Sequence, residues 1–410
     1  MSTLVSPTIS ENNGSLDARV APAVSTPALL SAMLRSSEKI SDLMFSPGRP
    51  PLVELSGRLV PVRITQLPLL TADHTRQIAS DLIGNNKQAL TGLREQGSCD
   101  VSYSLAGKSR FRVNVFMQRG SCAIVMRVIP NTVPDFAALN LPQQLAEVAD
   151  LRNGIVLVTG PTGSGKSSTL AAIIDLINQK HSYHIVTIED PIEFLHPHKN
   201  CTIHQRELHS DTPSFAFALR AALRQAPKAI LVGEMRDKET IEIAMEAAET
   251  GHLVLSTLHT IDASKTVERI VGVFPLAEQH LIRNRLGKSF RHIVSQRLVP
   301  RKDGCGRVAV IEILKSTLRT REYVERGEAE GKTLLDAMRD GTTEGMQHFD
   351  GEIEKLIRSG TMDLETGLTY STNPGNLRLE LADFIASAPP SQQSLSPEKT
   401  AGQPEPEIER

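Results

Sequence analysis

The chain reads as an α/β protein in two parts, a small mixed α/β domain followed by a P-loop domain on a parallel sheet. Three observations lead there. Short β-prone runs mixed with helical spacing fill residues 27–130. A Pro- and Asn-rich stretch then interrupts the pattern. Beyond it, apolar β-branched runs alternate with helical patterns, the rhythm of a sheet buried on both faces. A length of 410 residues accommodates two domains.

The elements follow in order. Residues 1–26 and 387–410 are polar and rich in Ser, Pro or Glu. Both are expected to be disordered, because they bury too little apolar surface to offset the entropy of ordering. Pro27 to Leu34 has helical spacing, and Pro51–Leu55 and Leu59–Ile64 read as strands around a turn at Ser56 and Gly57. Thr71 caps an expected helix to Leu82, with Asp73 in its first turn. Val101–Leu105, Ser109–Gln118 and Ser121–Ile129 are strand candidates separated by Gly107 and Gly120. Residues 131–145 are expected to be the linker, since Pro130 to Pro142 holds three prolines and two asparagines. The second domain is placed at 146–316 and a helical region at 317–386. Its buried strands are Ile155–Thr159, His184–Ile188, Ala229–Val232 and Leu253–Ser256.

Composition narrows the class. Charged residues make up 22% and the net charge is -2, which gives no case for a nucleic-acid partner. No apolar run is long enough to span a membrane, and the N-terminus lacks a secretion-signal pattern. The four cysteines, Cys99, Cys122, Cys201 and Cys305, form no CxxC pair and read as ordinary thiols in a reducing compartment, with the cytoplasm as the default address.

The chemistry begins at Gly160-Pro161-Thr162-Gly163-Ser164-Gly165-Lys166-Ser167, which matches G-x-x-x-x-G-K-S/T between a buried-strand run and a helical one. Glycines let backbone N–H groups turn toward a phosphate, and the following helix N-terminus adds partial positive charge. These residues and Ser168 are the expected ATP contacts. Lys166 is expected to reach the outer phosphates, and the Ser167 hydroxyl to ligate Mg²⁺. Hydrolysis also needs acids near water. Glu234 follows the strand Ala229–Val232, placed to polarise the attacking water or to hold Mg²⁺ through water. A second group, Glu189-Asp190-Pro191-Ile192-Glu193, ends the strand at Ile188. There Glu193 is the choice for contacting water, with Glu189 and Asp190 shaping the loop. His252 and His259 bracket one strand. On residues alone, His259 is either a polar sensor near the γ-phosphate or a structural strand-end histidine.

Several long stretches are recognisable together: VTGPTGSGKSSTLAA, TIEDPIEF, QRELHSDT, the run from Ala218 to Thr260, and RIVGVFP. They resemble the type II/IV secretion ATPase superfamily and, within it, the retraction ATPases of type IV pili. The resemblance runs from about Ser41 to about Leu314 and more weakly to about Arg358. It implies a PAS-like N-terminal domain, a RecA-like core and a homo-hexamer that hydrolyses ATP to pull on an inner-membrane pilus platform protein at the cytoplasmic base of the pilus. A related retraction ATPase is a further expected partner. The resemblance marks Glu193 as the Asp-box acid, Glu234 as the catalytic acid of an atypical Walker B segment lacking the usual Asp, and His252 and His259 as the His box. It also assigns Arg112 and Arg127, which on residues alone are surface strand arginines, as arginines that approach the phosphates when the domains close. Neither an additional N-terminal domain nor a tetra-cysteine insert is found, which favours retraction over pilus extension or type II secretion. Leu318–Arg326 matches the family's post-core helix poorly, so the accessory retraction subtype stays open. Leu223–Pro227 leans toward it, and GEMRD leans away.

Overall fold

The computed structural model describes residues 25–37, 39–130 and 132–387. The disorder expected at 1–24 and 388–410 lies outside the described residues. Ser25 and Thr26, assigned above to the loose N-terminal segment, instead cap and open the first helix, and Ser387 ends the last one. Contacts divide the chain into two compact units, meeting between Ile129 and Pro130.

The first unit runs α1 (Thr26–Leu34), β1 (Ile40–Phe45), β2 (Leu52–Leu55), β3 (Arg58–Pro61), α2 (Ala72–Ile83), α3 (Lys87–Gln96), β4 (Ser98–Leu105), β5 (Ser109–Gln118) and β6 (Ser121–Ile129). Its six strands form an antiparallel sheet in the order β3-β2-β1-β6-β5-β4. Alternation on β5 buries Phe111, Val113 and Val115 on one face, against Leu29, Leu30 and Ile78 of the helices. Thr71 caps α2 as expected: its hydroxyl accepts the His74 amide, and the His74 ring accepts the Thr71 amide. The third strand stops at Pro61 rather than at Ile64, and its residues are exposed.

In the second unit a 3₁₀ turn (Gln143–Asp150) comes first, and buried Leu145 within it packs into the core rather than belonging to a linker. Then follow β7 (Gly154–Thr159), α4 (Lys166–Lys180), β8 (His184–Glu189), β9 (Thr202–Glu207), α5 (Phe215–Ala222), β10 (Ala229–Val232), α6 (Lys238–Glu249), β11 (Leu253–Leu258), α7 (Ala263–Gly272), α8 (Leu276–Ser289), β12 (Phe290–Pro300) and β13 (Arg307–Lys315). The sheet order is β13-β12-β7-β11-β10-β8-β9. Every pair is parallel except β12–β13 at one edge. All residues of β7, β10 and β11 are buried, the signature of a sheet covered on both faces. On α4, Ile173, Ile174 and Ile177 have no exposure, and each such side chain contributes roughly 1.5–3 kcal/mol. Six further helices follow: α9 (Leu318–Arg326), α10 (Leu334–Asp340), α11 (Phe349–Arg358), α12 (Leu364–Tyr370), α13 (Pro374–Glu380) and α14 (Ala382–Ser387). The divergent Leu318–Arg326 stretch is therefore helical, with Thr317 as its cap. The predicted class, a mixed α/β unit followed by a P-loop core with a parallel sheet and C-terminal helices, is the one observed.

Candidate active site

Parallel strands point their C-terminal ends to one edge of the sheet, and the site is assembled there. After Thr159 the chain turns through Gly160, whose φ of +144° is open to glycine alone; a Cβ there would lie 2.3 Å from the Gln296 carbonyl of β12. Gly165 has φ +92°, and a Cβ on it would lie 2.8 Å from the Gln296 amide nitrogen. Gln296 also accepts the Thr169 hydroxyl of α4 at 2.8 Å, while Thr159 bonds Ser295 at 3.2 Å. The loop is thus moulded against β12 at both ends, and α4 is launched with Lys166 as its first residue.

Lys166 is buried, and its Nζ donates to the carbonyls of Gly160 at 2.9 Å and Pro161 at 3.1 Å. Burial pushes its pKa below the ordinary lysine value, and the carboxylates of Glu193 and Glu234 pull the other way. The Ser164 hydroxyl is buried and has no hydrogen-bond partner. Thr162, Gly163, Gly165, Lys166, Ser167 and Ser168 line a cavity of about 590 Å³, and Gly160, Pro161 and Ser164 are not among its lining residues. An ammonium resting on loop carbonyls, an unpaired hydroxyl and a left-handed Gly163 with open space beside it suit a bound phosphate chain.

The acids line the same cavity. Val232 of β10 is in register with Ile188 of β8, so the two acidic strand ends lie side by side. Glu189 is buried, accepting from Thr187 at 2.6 Å and Gln205 at 3.1 Å, and burial holds its carboxyl above the usual range. Gln205 also donates to the Phe194 carbonyl at 2.8 Å, and Glu207 accepts the Ile192 amide at 3.0 Å. Glu189 therefore organises the loop, and exposed Glu193 is left on the cavity wall. Glu234 is half-buried; Arg236 Nε lies 2.6 Å from its carboxylate and His259 Nε2 3.7 Å. A Cβ on Gly233 would meet the Ile188 carbonyl at 3.2 Å, so the usual Asp has little room in this strand end. Burial first, and then Lys166, push His259 below the ordinary histidine value. Serine and carboxylate oxygens are the hard donors that Mg²⁺ takes, so Ser167 and Glu234 fit such an ion.

The structure brings together the loop, Glu193, Glu234 and His259. It does not bring His252 to them: that ring bonds the Ala247 carbonyl at 2.9 Å, at the opposite end of β11. Arg112 and Arg127 belong to the first unit, where they are cross-strand partners on β5 and β6, and Arg127 pairs with buried Asp42 at 3.1 Å. Sequence reasoning missed Arg236, Gln296 and Thr169. Arg236 sits two residues past Glu234 and was within reach of inspection, whereas nothing in the polar strand around Gln296 pointed to the loop.

Residues 94–388 match the family described as Type II/IV secretion system protein. The chain belongs to that family. Within this secretion family it is 43% identical over 336 residues to the type IV pilus retractation ATPase PilT of Pseudomonas aeruginosa, covering 82% of this chain and 95% of that protein. The type IV pilus ATPase PilU of the same organism is 38% identical over 371 residues, 89% of this chain and 94% of PilU. Among solved structures, the pilus retraction motor PilT with bound ADP superposes with a TM-score of 0.75 at 40% identity, covering 86% of this chain and 98% of that one.

Proposed function

We propose that this chain is an ATP-hydrolysing motor that powers type IV pilus retraction and twitching motility. The observation that carries the reading is the 43% identity to a retraction ATPase across 95% of that protein's length. The motor acts as a homo-hexamer on an inner-membrane platform protein, at the cytoplasmic base of the pilus, with a related retraction ATPase as a further partner.

ATP binds with its phosphates along Gly160–Ser168, with Lys166 against the outer phosphates. Ser167, and Glu234 through a water, would hold Mg²⁺, which would neutralise developing charge on the phosphate oxygens. Glu234 and Glu193 orient the attacking water and draw its proton, breaking the terminal phosphoanhydride bond to give ADP and phosphate. Arg236 holds the Glu234 carboxylate at rest, so it must yield before that oxygen can accept a proton. His259 sits where loss of the terminal phosphate is felt. Arg112 and Arg127 approach the phosphates as the units close, and their withdrawal after hydrolysis converts chemistry into movement.

The accessory, PilU-like reading is the second one, favoured by the longer alignment to PilU. Steady-state ATPase assays test the chemistry. Lys166→Ala and Glu234→Gln are each expected to lose about 100-fold or more in turnover, the scale of a lost phosphate clamp or general base. Undiminished turnover in either variant contradicts that residue's role.

A further inference from the structure

A second cavity, of about 350 Å³, lies behind the catalytic acid. Its walls are Glu234, Arg236, Thr257, His259, Thr260 and Arg269, with Met235 and Leu258 between them. Four of these residues, Glu234, Arg236, Thr257 and His259, also line the larger cavity that holds the loop. The two spaces therefore share a partition made of the groups that handle water and the terminal phosphate.

Charge in the second cavity is positive. Arg236 is already matched to Glu234 at 2.6 Å, so that pair is close to neutral. Arg269, from α7, is exposed and adds an unmatched guanidinium; no carboxylate pairs with it among the described residues. The Thr257 hydroxyl is committed to the Gly233 carbonyl at 2.6 Å, and that of Thr260 lies 2.6 Å from Thr266. Donors for a ligand thus come from Arg269, the outer nitrogens of Arg236 and the His259 ring. Guanidinium forks with a neighbouring N–H donor form an oxyanion site, suited to a tetrahedral phosphate.

We propose that this cavity binds the inorganic phosphate released by hydrolysis, holding it apart from ADP before it leaves. The inference rests on the ATPase reading above. Cleavage leaves ADP on the loop and a phosphate next to the partition. Movement of Arg236 from Glu234 toward that phosphate frees the carboxylate and opens the way into the second cavity, so one arginine links water activation to product transfer.

The test uses the full chain loaded with saturating ADP, which blocks the loop, titrated with inorganic phosphate. ADP binding by the unaltered chain is measured first, and its absence overturns the nucleotide reading and this inference with it. Given ADP binding, one phosphate is expected per subunit. Arg269→Ala is expected to weaken it about tenfold, the size of a charge-assisted hydrogen bond, and Arg269→Lys to restore most of it. Unchanged ADP affinity and melting temperature in Arg269→Ala mark the effect as local. No phosphate binding to the ADP-loaded chain, as when a carboxylate of a neighbouring subunit fills the cavity, overturns the proposal. Equal phosphate affinity with and without Arg269 does so as well.

Discussion

Glu312 on β13 shows what one buried group does to this core. Its carboxylate accepts the Ala263 amide at the start of α7 at 2.9 Å, yet full burial pushes its pKa from 4.5 up to about 7. Between those values the native protein keeps a proton that the unfolded chain has released. The stability this proton confers is therefore complete below pH 4.5 and is lost as pH rises through about 7. The loss is on the order of 3 kcal/mol. Glu312→Gln keeps an acceptor for the amide and removes the charge. Its melting temperature is expected to gain on that of the unaltered chain between pH 5 and pH 8, and a constant difference across that range contradicts the assignment. Legibility at this scale was uneven. Lys166, Glu193, Glu234 and His259 were placed by motif or by strand ends, and Glu189, expected to shape the loop, does bond Thr187 and Gln205 there. The ion pair of Arg236 with Glu234 depends on how a turn folds back, which spacing does not encode.

At the scale of elements, the largely apolar strands announced themselves. Runs such as those of β7 and β11 are buried on both faces, so most positions are apolar, with Thr159, Ser256 and Thr257 toward the C-terminal ends. By contrast, β12 escaped notice because buried polar residues, partnered by side chains of other elements, interrupt its apolar run. His292, Ser295 and Gln296 are buried there, with Gln296 bonded to Thr169 and Ser295 to Thr159. Those contacts make β12 the back wall of the phosphate loop, and they make Gly160 irreplaceable. Gly160→Ala places a methyl 2.3 Å from the Gln296 carbonyl in a backbone region closed to alanine. Relief needs displacement of β12, which is paired on both sides, at a cost of about 2–3 kcal/mol. A urea midpoint lowered to match, together with weakened ATP binding, is the expected result. An unshifted midpoint would show that the loop does not bear on β12. The edge strand Arg58–Pro61, whose Leu59 and Val60 are exposed, ended sooner than the apolar run Leu59–Ile64 suggested, because an exposed edge has no packing partner to extend it.

For the whole molecule, the division of labour follows from where each chemical group resides. The second unit supplies the loop, the acids Glu193 and Glu234 and the two cavities described above. The first unit carries Arg112 and Arg127 side by side on neighbouring strands. The proposed approach of these arginines to the nucleotide in only part of the cycle suits their placement on a separate unit. That arrangement was legible only through the family resemblance, since two exposed strand arginines carry no signal of their own. The direction of force is the central claim, and deletion of the gene in its own host tests it most directly, with piliation and surface motility scored together. Excess pili without twitching, restored by the unaltered gene but not by Lys166→Ala, is the predicted result; loss of pili would contradict retraction and point to assembly.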